Sequence, residues 1–482
     1  MPNPLTLYAR FRTERHFYIY DTFSNAILQT PKPIWERIDQ VLLEGSPAQG
    51  NSSEWATRTR EAVADARSAG FLGPCDLTAM AFYESDSTLH TRLTRAISQL
   101  ALEVTERCNL RCHYCAFAND ERRNSHASEM SLATATKAIS AFLSHSVEAK
   151  TRTVSFWGGE PLFALSLIRK VVDHVETCRA GAPISYAFTT NGTLIKEATA
   201  RFLSAYKFQL LVSLDGPRHI HDRNRRGANG AGSFDDTLAG LRLLRTTDPE
   251  YYRDVRFNCV LSRDTSLDEV LQFFNTEPLV AGHDVTITAA NRAGLPESDE
   301  TTRFGGLTAK QREDARRMFL CHARKGTTPE AGGTLYASPL QRIALRSRAP
   351  LGDTVHPNGC CVPLLRKMVV RPTGDVYMCE QPPYLNPLGN IHTGLAFETA
   401  ISMVREYAAR SLPACRQCWA VRLCGRCYRD VMTDSRWTPA KDGDCGVRRE
   451  TVRSQLAAYA SVCEELPSGF DYLKSFVFSF PV

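Results

Sequence analysis

No apolar run in this 482-residue chain approaches the length of a bilayer-spanning helix. Its first residues also lack the basic-then-apolar layout of a secretion signal. Together these absences lead us to expect a cytoplasmic protein with no membrane partner. Charge of one sign is scarce too: 58 Lys and Arg against 52 Asp and Glu leave a formal +6. The short basic run Arg223-Asn224-Arg225-Arg226 is too brief to make a nucleic-acid interface, and no nucleic-acid partner is expected. What the chain does hold is cysteine, 16 in all. Without a secretory context, that many thiols argue for metal rather than disulfides. Cluster-bound thiolates would offset much of the positive charge, since each cluster carries a net charge of about −1 or −2.

Three of the thiols share one stretch, Cys108-Asn109-Leu110-Arg111-Cys112-His113-Tyr114-Cys115. A structural zinc site wants four N/S ligands, usually as two separated pairs. No closing pair lies near this stretch, so a zinc knuckle fits it poorly. Tight cysteine runs belong instead to iron–sulfur sites. A [4Fe–4S] cube held by Cys108, Cys112 and Cys115 has three protein ligands and one iron open to a small molecule.

Four regions separate along the chain. Residues 1–90 open with expected strands at Leu5–Arg12, His16–Tyr20 and Ala26–Gln29. Apolar spacing then predicts helices over Pro33–Leu43 and Trp55–Ala69, the second ended by Gly70. Residues 96–300 alternate strand and helix. Strands are expected at Gln99–Glu106, Thr153–Trp157, Ile184–Thr190, Gln209–Leu214, Arg256–Leu261 and Val285–Ala289. Helices are expected at Leu132–His145, Leu162–Cys178, Ile195–Tyr206, Phe234–Arg245 and Ser266–Asn275. Such βα units imply an α/β fold with parallel strands and helices outside. Residues 301–350 are polar and read as a linker with one helix, Ala309–Lys325. Residues 351–482 are dense in cysteine.

The three-cysteine stretch, with Tyr114 before its last thiol, resembles the signature of the radical S-adenosylmethionine (SAM) enzymes. That resemblance implies a partial (β/α)6, TIM-like barrel whose open iron chelates the methionine end of SAM. Chemistry on such a barrel belongs at the C-terminal strand ends, and Cys108 follows the first strand. Gly158-Gly159-Glu160-Pro161 follows the second. Glycines let backbone approach a ligand, Pro161 suits a first helical turn, and Glu160 offers a carboxylate to an ammonium group. In the family this motif binds the α-amino group of SAM. Thr189-Thr190-Asn191-Gly192 ends the third strand and Ser213-Leu214-Asp215-Gly216-Pro217 the fourth, with His221-Asp222-Arg223-Asn224-Arg225 after it. By the same resemblance, Ser213 and Asp215 contact the carboxylate and ribose of SAM, and Arg225 helps to hold it. Tyr114 and Asn191 complete the expected SAM site. Turn and capping chemistry is the competing reading of Asn191 and Arg225.

The later cysteines run Cys361, Cys379, then Cys415-x2-Cys418-x5-Cys424-x2-Cys427, then Cys445. They resemble the SPASM domain, which binds two auxiliary [4Fe–4S] clusters in peptide-modifying radical SAM enzymes. The family usually has three residues between its fifth and sixth cysteines, whereas here only Gly425 and Arg426 intervene. A zinc ribbon separates its pairs by roughly 15–20 residues, too many for this spacing. By resemblance, Cys415, Cys418, Cys424 and Cys445 hold the outer cluster, and Cys361, Cys379 and Cys427 the inner one. Cys360 is the candidate eighth ligand. Neighbours on an extended segment point to opposite faces, so only one of Cys360 and Cys361 should ligate well, leaving the inner cluster an open iron. The chain is thus expected to carry three clusters and SAM. Cys75, Cys178, Cys259, Cys321 and Cys463 read as ordinary thiols.

The small sheet and helices of residues 1–90 resemble the domain with which peptide maturases capture a leader peptide as an added strand. The combined resemblance implies an oxidoreductase that matures a ribosomally made peptide or small protein, supplied with electrons by a flavodoxin or ferredoxin. Domain order suggests the thioether-forming maturases, among them the family that matures quinohemoprotein amine dehydrogenase. Carbon–carbon cyclophane formation and sulfatase-maturase-like formylglycine formation are the alternatives. A cluster-carrying electron-transfer protein without catalysis is a more distant one. Candidate bases are Glu380, beside Cys379, and Asp235, after the fourth strand, although Ser233-Phe234-Asp235-Asp236 also reads as a helix N-cap with first-turn acids.

Overall fold

Strict alternation shapes the N-terminal sheet. The computed structural model describes residues 5–43, 54–117, 126–179, 183–289, 306–357, 361–380, 386–428, 431–433, 436–437 and 442–475. Strands β1 (Tyr8–Arg12), β2 (Phe17–Asp21) and β3 (Ala26–Thr30) form an antiparallel meander with β2 central. Residues of opposite parity go to opposite faces. Ile19 packs with Ile38 and Val63 of helices α1 (Lys32–Leu43) and α2 (Glu54–Ser68). Ala9, Phe11, Tyr18 and Tyr20 pack the other way, on Leu423, Val452 and Leu456 from the far end of the chain. Both faces are therefore covered, while β3 hydrogen-bonds to β2 alone among the described strands.

After β4 (Ala79–Met80) and α3 (Asp86–Arg95) comes the main sheet. Its parallel strands are β5 (Gln99–Thr105), β6 (Thr153–Gly158), β7 (Ser185–Thr190), β8 (Gln209–Ser213), β9 (Arg256–Leu261) and β10 (Val285–Ala289). Helices α4 (Leu132–Ser144), α5 (Leu165–Cys178), α6 (Glu197–Ala205), α7 (Arg218–Asn224), α8 (Phe234–Thr247) and α9 (Leu267–Thr276) connect them. The six units expected from the apolar pattern are all present. Capping explains several boundaries: Ser131 accepts from Thr134 N to start α4, and Pro161 opens a 3-10 turn ahead of α5.

One face of each strand is apolar and meets the helices: Leu100, Leu102, Val154, Phe156, Leu210, Val212 and Phe257 lie in one core. The other face is mixed and less tightly buried. Ser155, Asn258 and Val260 are half-buried, and Thr189, Thr286 and Thr288 are exposed, although they lie within strands of the sheet. That is the concave inside of an open barrel with room for solvent or ligand.

The sheet has two strands that local pattern does not suggest. Beyond α10 (Ala309–Arg324) and β11 (Thr354–Val355, paired with β4), β12 (Lys367–Val370) joins β5 in parallel, and β13 (Val376–Tyr377) pairs antiparallel with β12. The full order is β10-β9-β8-β7-β6-β5-β12-β13. The Cys-rich region thus extends the barrel sheet. Helices α11 (Phe397–Cys415) and α12 (Asp442–Glu465) complete it. No described helix is long and apolar enough to cross a membrane.

Candidate functional site

The chain leaves β5 at Thr105 and enters the Cys108–Cys115 stretch, which backbone hydrogen bonds pin to the segment after α7. Arg111 N donates to Arg226 O (2.7 Å), His113 N to Asn224 O (3.0 Å) and Ala228 N to Asn109 O (3.1 Å). The Arg111 guanidinium turns back onto the Cys108 and Leu110 carbonyls. Burial, reinforced by neighbouring thiols, pushes Cys108 up to about 11 and Cys112 up to about 12. Such thiols keep their protons until a metal displaces them. No three His, Cys, Asp or Glu side chains among the described residues converge on a single-ion site. A zinc ion about 2.3 Å from each sulfur would gather its ligands closely, whereas a four-iron cube presents separate corners. Cys108, Cys112 and Cys115 lie within electrostatic reach of one another, and three neighbouring thiols suit an iron–sulfur cluster.

Two glycines bring the end of β6 against the start of this stretch. At Gly158 (φ +148°) an added Cβ would stand 2.0 Å from the Thr105 carbonyl oxygen, and at Gly159 2.2 Å from that of Arg107. Gly159 N and Glu160 N donate to these same carbonyls, at 2.9 and 2.7 Å. Glu160 lands 1% exposed. Its carboxylate accepts from Leu162 N (3.1 Å), Thr190 Oγ1 (2.7 Å) and Asn191 N (2.8 Å). Burial outweighs these donors and pushes its pKa up to about 7. It makes no ion pair among the described residues. A buried carboxylate with neutral donors and no cation is short of a positive partner, and an ammonium group fits that need.

Ser213 ends β8 on the concave face, and its hydroxyl has no partner among the described residues. Asp215 differs. It is fully buried, and its oxygens are taken by Tyr114 Oη (2.8 Å), Val260 N (3.0 Å) and an ion pair with Arg225 (3.1 Å). Asp215 thus braces Tyr114 and Arg225, and its Oδ1, with one donor, keeps a lone pair for a further partner. The Arg225 guanidinium lies 5.3 Å over the Tyr114 ring. Neutral His221, its pKa lowered by burial and by Arg225, braces the group by accepting from Asp215 N and meeting Ser233 Oγ. Asn191 is likewise engaged at both amide ends, with Asn109 and Thr193, and ties the end of β7 to the Cys stretch. For Asn191 the turn reading is the one the hydrogen bonds describe.

The later thiols fall into two neighbourhoods. Cys361 is within electrostatic reach of Cys427 and Cys379, and Cys415 of Cys418, Cys424 and Cys445. Burial and these neighbours push Cys415 up to about 12. Cys360 lies outside the described residues. Glu380 is paired with Lys367 of β12 at 2.7 Å. Asp235 does not face the barrel rim. It projects into solvent from the first turn of α8, paired with Arg218, which lowers its pKa. An exposed carboxylate whose pKa is lowered by a paired guanidinium makes a weaker base, which favours its first-turn helix role.

Two features escaped the motif reading. Trp157, on the concave face at the end of β6, has a buried Nε1 with no partner among the described residues, so it can donate to a ligand. Its lone position in a strand gave no signal. Arg371, just after β12, ion-pairs Glu103 (2.9 Å) and Glu106 (2.6 Å), both buried in and just after β5. That link joins the Cys-rich region to the root of the three-cysteine stretch.

Residues 102–276 match the protein-family model described as Radical SAM superfamily. Over 188 residues the chain is 29% identical to a cysteine-type anaerobic sulfatase-maturating enzyme of Clostridium novyi (strain NT), covering 38% of this chain and 49% of that protein. Over 191 residues it is 29% identical to the radical SAM cyclopropyl synthase TigE of Paramaledivibacter caminithermalis, covering 38% of each. The chain thus spans about half, or less, of the length of these curated relatives. A solved structure, native anSMEcpe with bound AdoMet and Cp18Cys peptide, shares the fold at a TM-score of 0.55 and 22% identity, covering 77% of this chain and all of that one.

Proposed function

We propose that residues 102–276, which match the Radical SAM superfamily model, form a radical SAM domain, and that the chain is an enzyme that oxidatively modifies a ribosomally made peptide or small protein. The observation that carries this is Glu160: a buried carboxylate without a cation, packed by two glycines against a three-thiol stretch. In this reading Cys108, Cys112 and Cys115 hold the cluster, and Glu160 takes the SAM ammonium group. Gly158 and Gly159 give close backbone approach, and Ser213, Tyr114 and Arg225 line the rest of the SAM site. Asp215 positions Tyr114 and Arg225. When bound, the cluster and SAM supply a 5′-deoxyadenosyl radical that takes hydrogen from a substrate carbon.

The grouping of Cys361, Cys379 and Cys427, and of Cys415, Cys418, Cys424 and Cys445, supports two auxiliary clusters. The open edge of β3 supports capture of a peptide as an added strand. We assign thioether formation as the product chemistry, with the inner thiol group holding fewer protein ligands than a cube has corners. Likeness to sulfatase-maturating enzymes supports formylglycine formation as the second reading.

Anaerobic incubation of cluster-loaded protein with SAM and dithionite should yield 5′-deoxyadenosine, and none would refute the enzyme reading. Mass spectrometry of a co-expressed Cys-bearing peptide separates the products. A thioether loses two hydrogens and one alkylatable thiol. A carbon–carbon link loses the hydrogens and keeps the thiol. A cysteine converted to formylglycine loses its sulfur.

A further inference from the structure

One buried donor at the barrel mouth has no acceptor among the described residues. Trp157 stands one residue from the end of β6, and strand alternation puts it with Ser155 on the concave face. Its indole is half-buried, yet Nε1 is closed to solvent and unpaired among the described residues. An indole N–H can only donate, so leaving it unpaired in the interior weakens the fold. A buried polar atom in that position calls for a partner. The ring lies 6.4 Å from that of Phe117, two residues past Cys115, and Glu160 follows three residues on. Trp157 therefore borders both the three-cysteine stretch and the barrel interior.

Its neighbours narrow what the acceptor can be. Phe156 pairs with Phe188 in the sheet, which sets exposed Thr189 of β7 beside Trp157. Farther across the same face stand Asn258, Thr286 and Thr288. These side chains are neutral and form hydrogen bonds, as suits a peptide backbone. The SAM carboxylate is a poorer candidate. By resemblance it lies toward Ser213, which ends β8, two strands away and about 10 Å across the sheet.

We propose that Trp157 Nε1 donates to a backbone carbonyl of the substrate peptide and seats the target residue in the barrel mouth. The proposal rests on the peptide-modifying reading above and names Trp157 as the residue that positions the substrate. Every residue has a backbone carbonyl, so this bond fixes where the peptide lies and leaves the choice of sequence to other contacts.

The test uses cluster-loaded, full-length protein with SAM and a fluorescein-labelled Cys-bearing peptide that the wild-type protein modifies on co-expression. W157F keeps an aromatic ring and removes the donor. It should weaken peptide binding about three- to tenfold, the worth of one hydrogen bond, and raise the KM for the peptide by a similar factor. SAM affinity, read by calorimetry, should stay within about twofold of wild type. Replacing Trp157 by benzothienylalanine swaps the N–H for sulfur within nearly the same outline, and covers the case in which W157F fails to fold. This isostere should weaken peptide binding likewise, without lowering the Tm of the SAM-free protein, because the donor has no partner there to lose. A lowered Tm would show the N–H bonded inside the protein and overturn the proposal. Peptide affinity unchanged in both variants would overturn it too, as would a loss of SAM affinity, which would make SAM the acceptor. A wild-type protein that cleaves SAM but modifies no peptide would instead fail the parent reading, and the proposal with it.

Discussion

Replacing Glu160 by glutamine keeps the shape of a side chain that is 1% exposed, removes its charge, and turns one accepting oxygen into an NH2 that cannot take a backbone N–H. In the free protein that charge is unwelcome. An unfolded glutamate ionises near 4.5, whereas burial lets folded Glu160 keep its proton up to about 7. The folded state therefore binds more protons than the unfolded one between these values, and stability falls as pH rises through that window. A shift of this size is worth about 3 kcal/mol at pH 8, and E160Q, which loses one acceptor at a cost of about 1–3 kcal/mol, should flatten this pH dependence of Tm rather than raise Tm by the full amount. SAM reverses the balance, because its ammonium group favours the carboxylate. Binding below pH 7 should then release about one proton, and affinity should rise up to tenfold per pH unit between about pH 5.5 and 7. E160Q should bind SAM roughly ten- to hundredfold more weakly at pH 7.5, the worth of a charge-assisted bond at about 1.5–3 kcal/mol. It should also lose the pH slope. Calorimetry in buffers of different ionisation heat reads affinity and proton release together. A wild-type affinity flat across this range, or an E160Q protein that keeps the slope, would refute the assignment of Glu160 to the ammonium group.

The remaining expectations need simpler assays. G159A should force the Arg107 carbonyl away, since its Cβ would stand 2.2 Å from that oxygen, and reconstituted protein should lose about one cluster's worth of iron. R371Q removes the cation between two buried carboxylates, Glu103 and Glu106, and should cost about 3–5 kcal/mol in denaturant unfolding; less than about 1 kcal/mol would mean the ion pairs are idle. D235N should leave SAM cleavage and product yield at wild-type levels, as befits an exposed first-turn acid; a lost product would restore it as a base.

Much of the barrel was legible because its signals are local. Strand periodicity, the Gly158-Gly159 turn and Ser131 and Pro161 at helix starts each act within a few residues. The grouping of the later cysteines came instead from their resemblance to a known domain. What escaped depends on distant segments. Asp215 reads as a rim residue in Ser-Leu-Asp-Gly, yet Tyr114, Arg225 and Val260 arrive from three other places to close over it. Asp235 reads equally as rim or cap, and only its pairing with Arg218 decides. Strand β12 has four residues and no flanking pattern of its own. Its partner β5 selects it.

That partnership has a consequence for how the protein is made. Lys367 pairs with Gln99, and Arg366 O accepts from Ser98 Oγ across a separation of 268 residues. Until β12 has emerged from the ribosome, β5 is an open edge, ready to pair with any passing strand. The same strand leads into the three-cysteine stretch, and Arg371, which anchors its root, is made just after β12. A nascent chain therefore has no finished wall beside these thiols until the Cys-rich region is under synthesis. The three-cysteine stretch thus gains its neighbouring strand and its Arg371 anchor only late in synthesis.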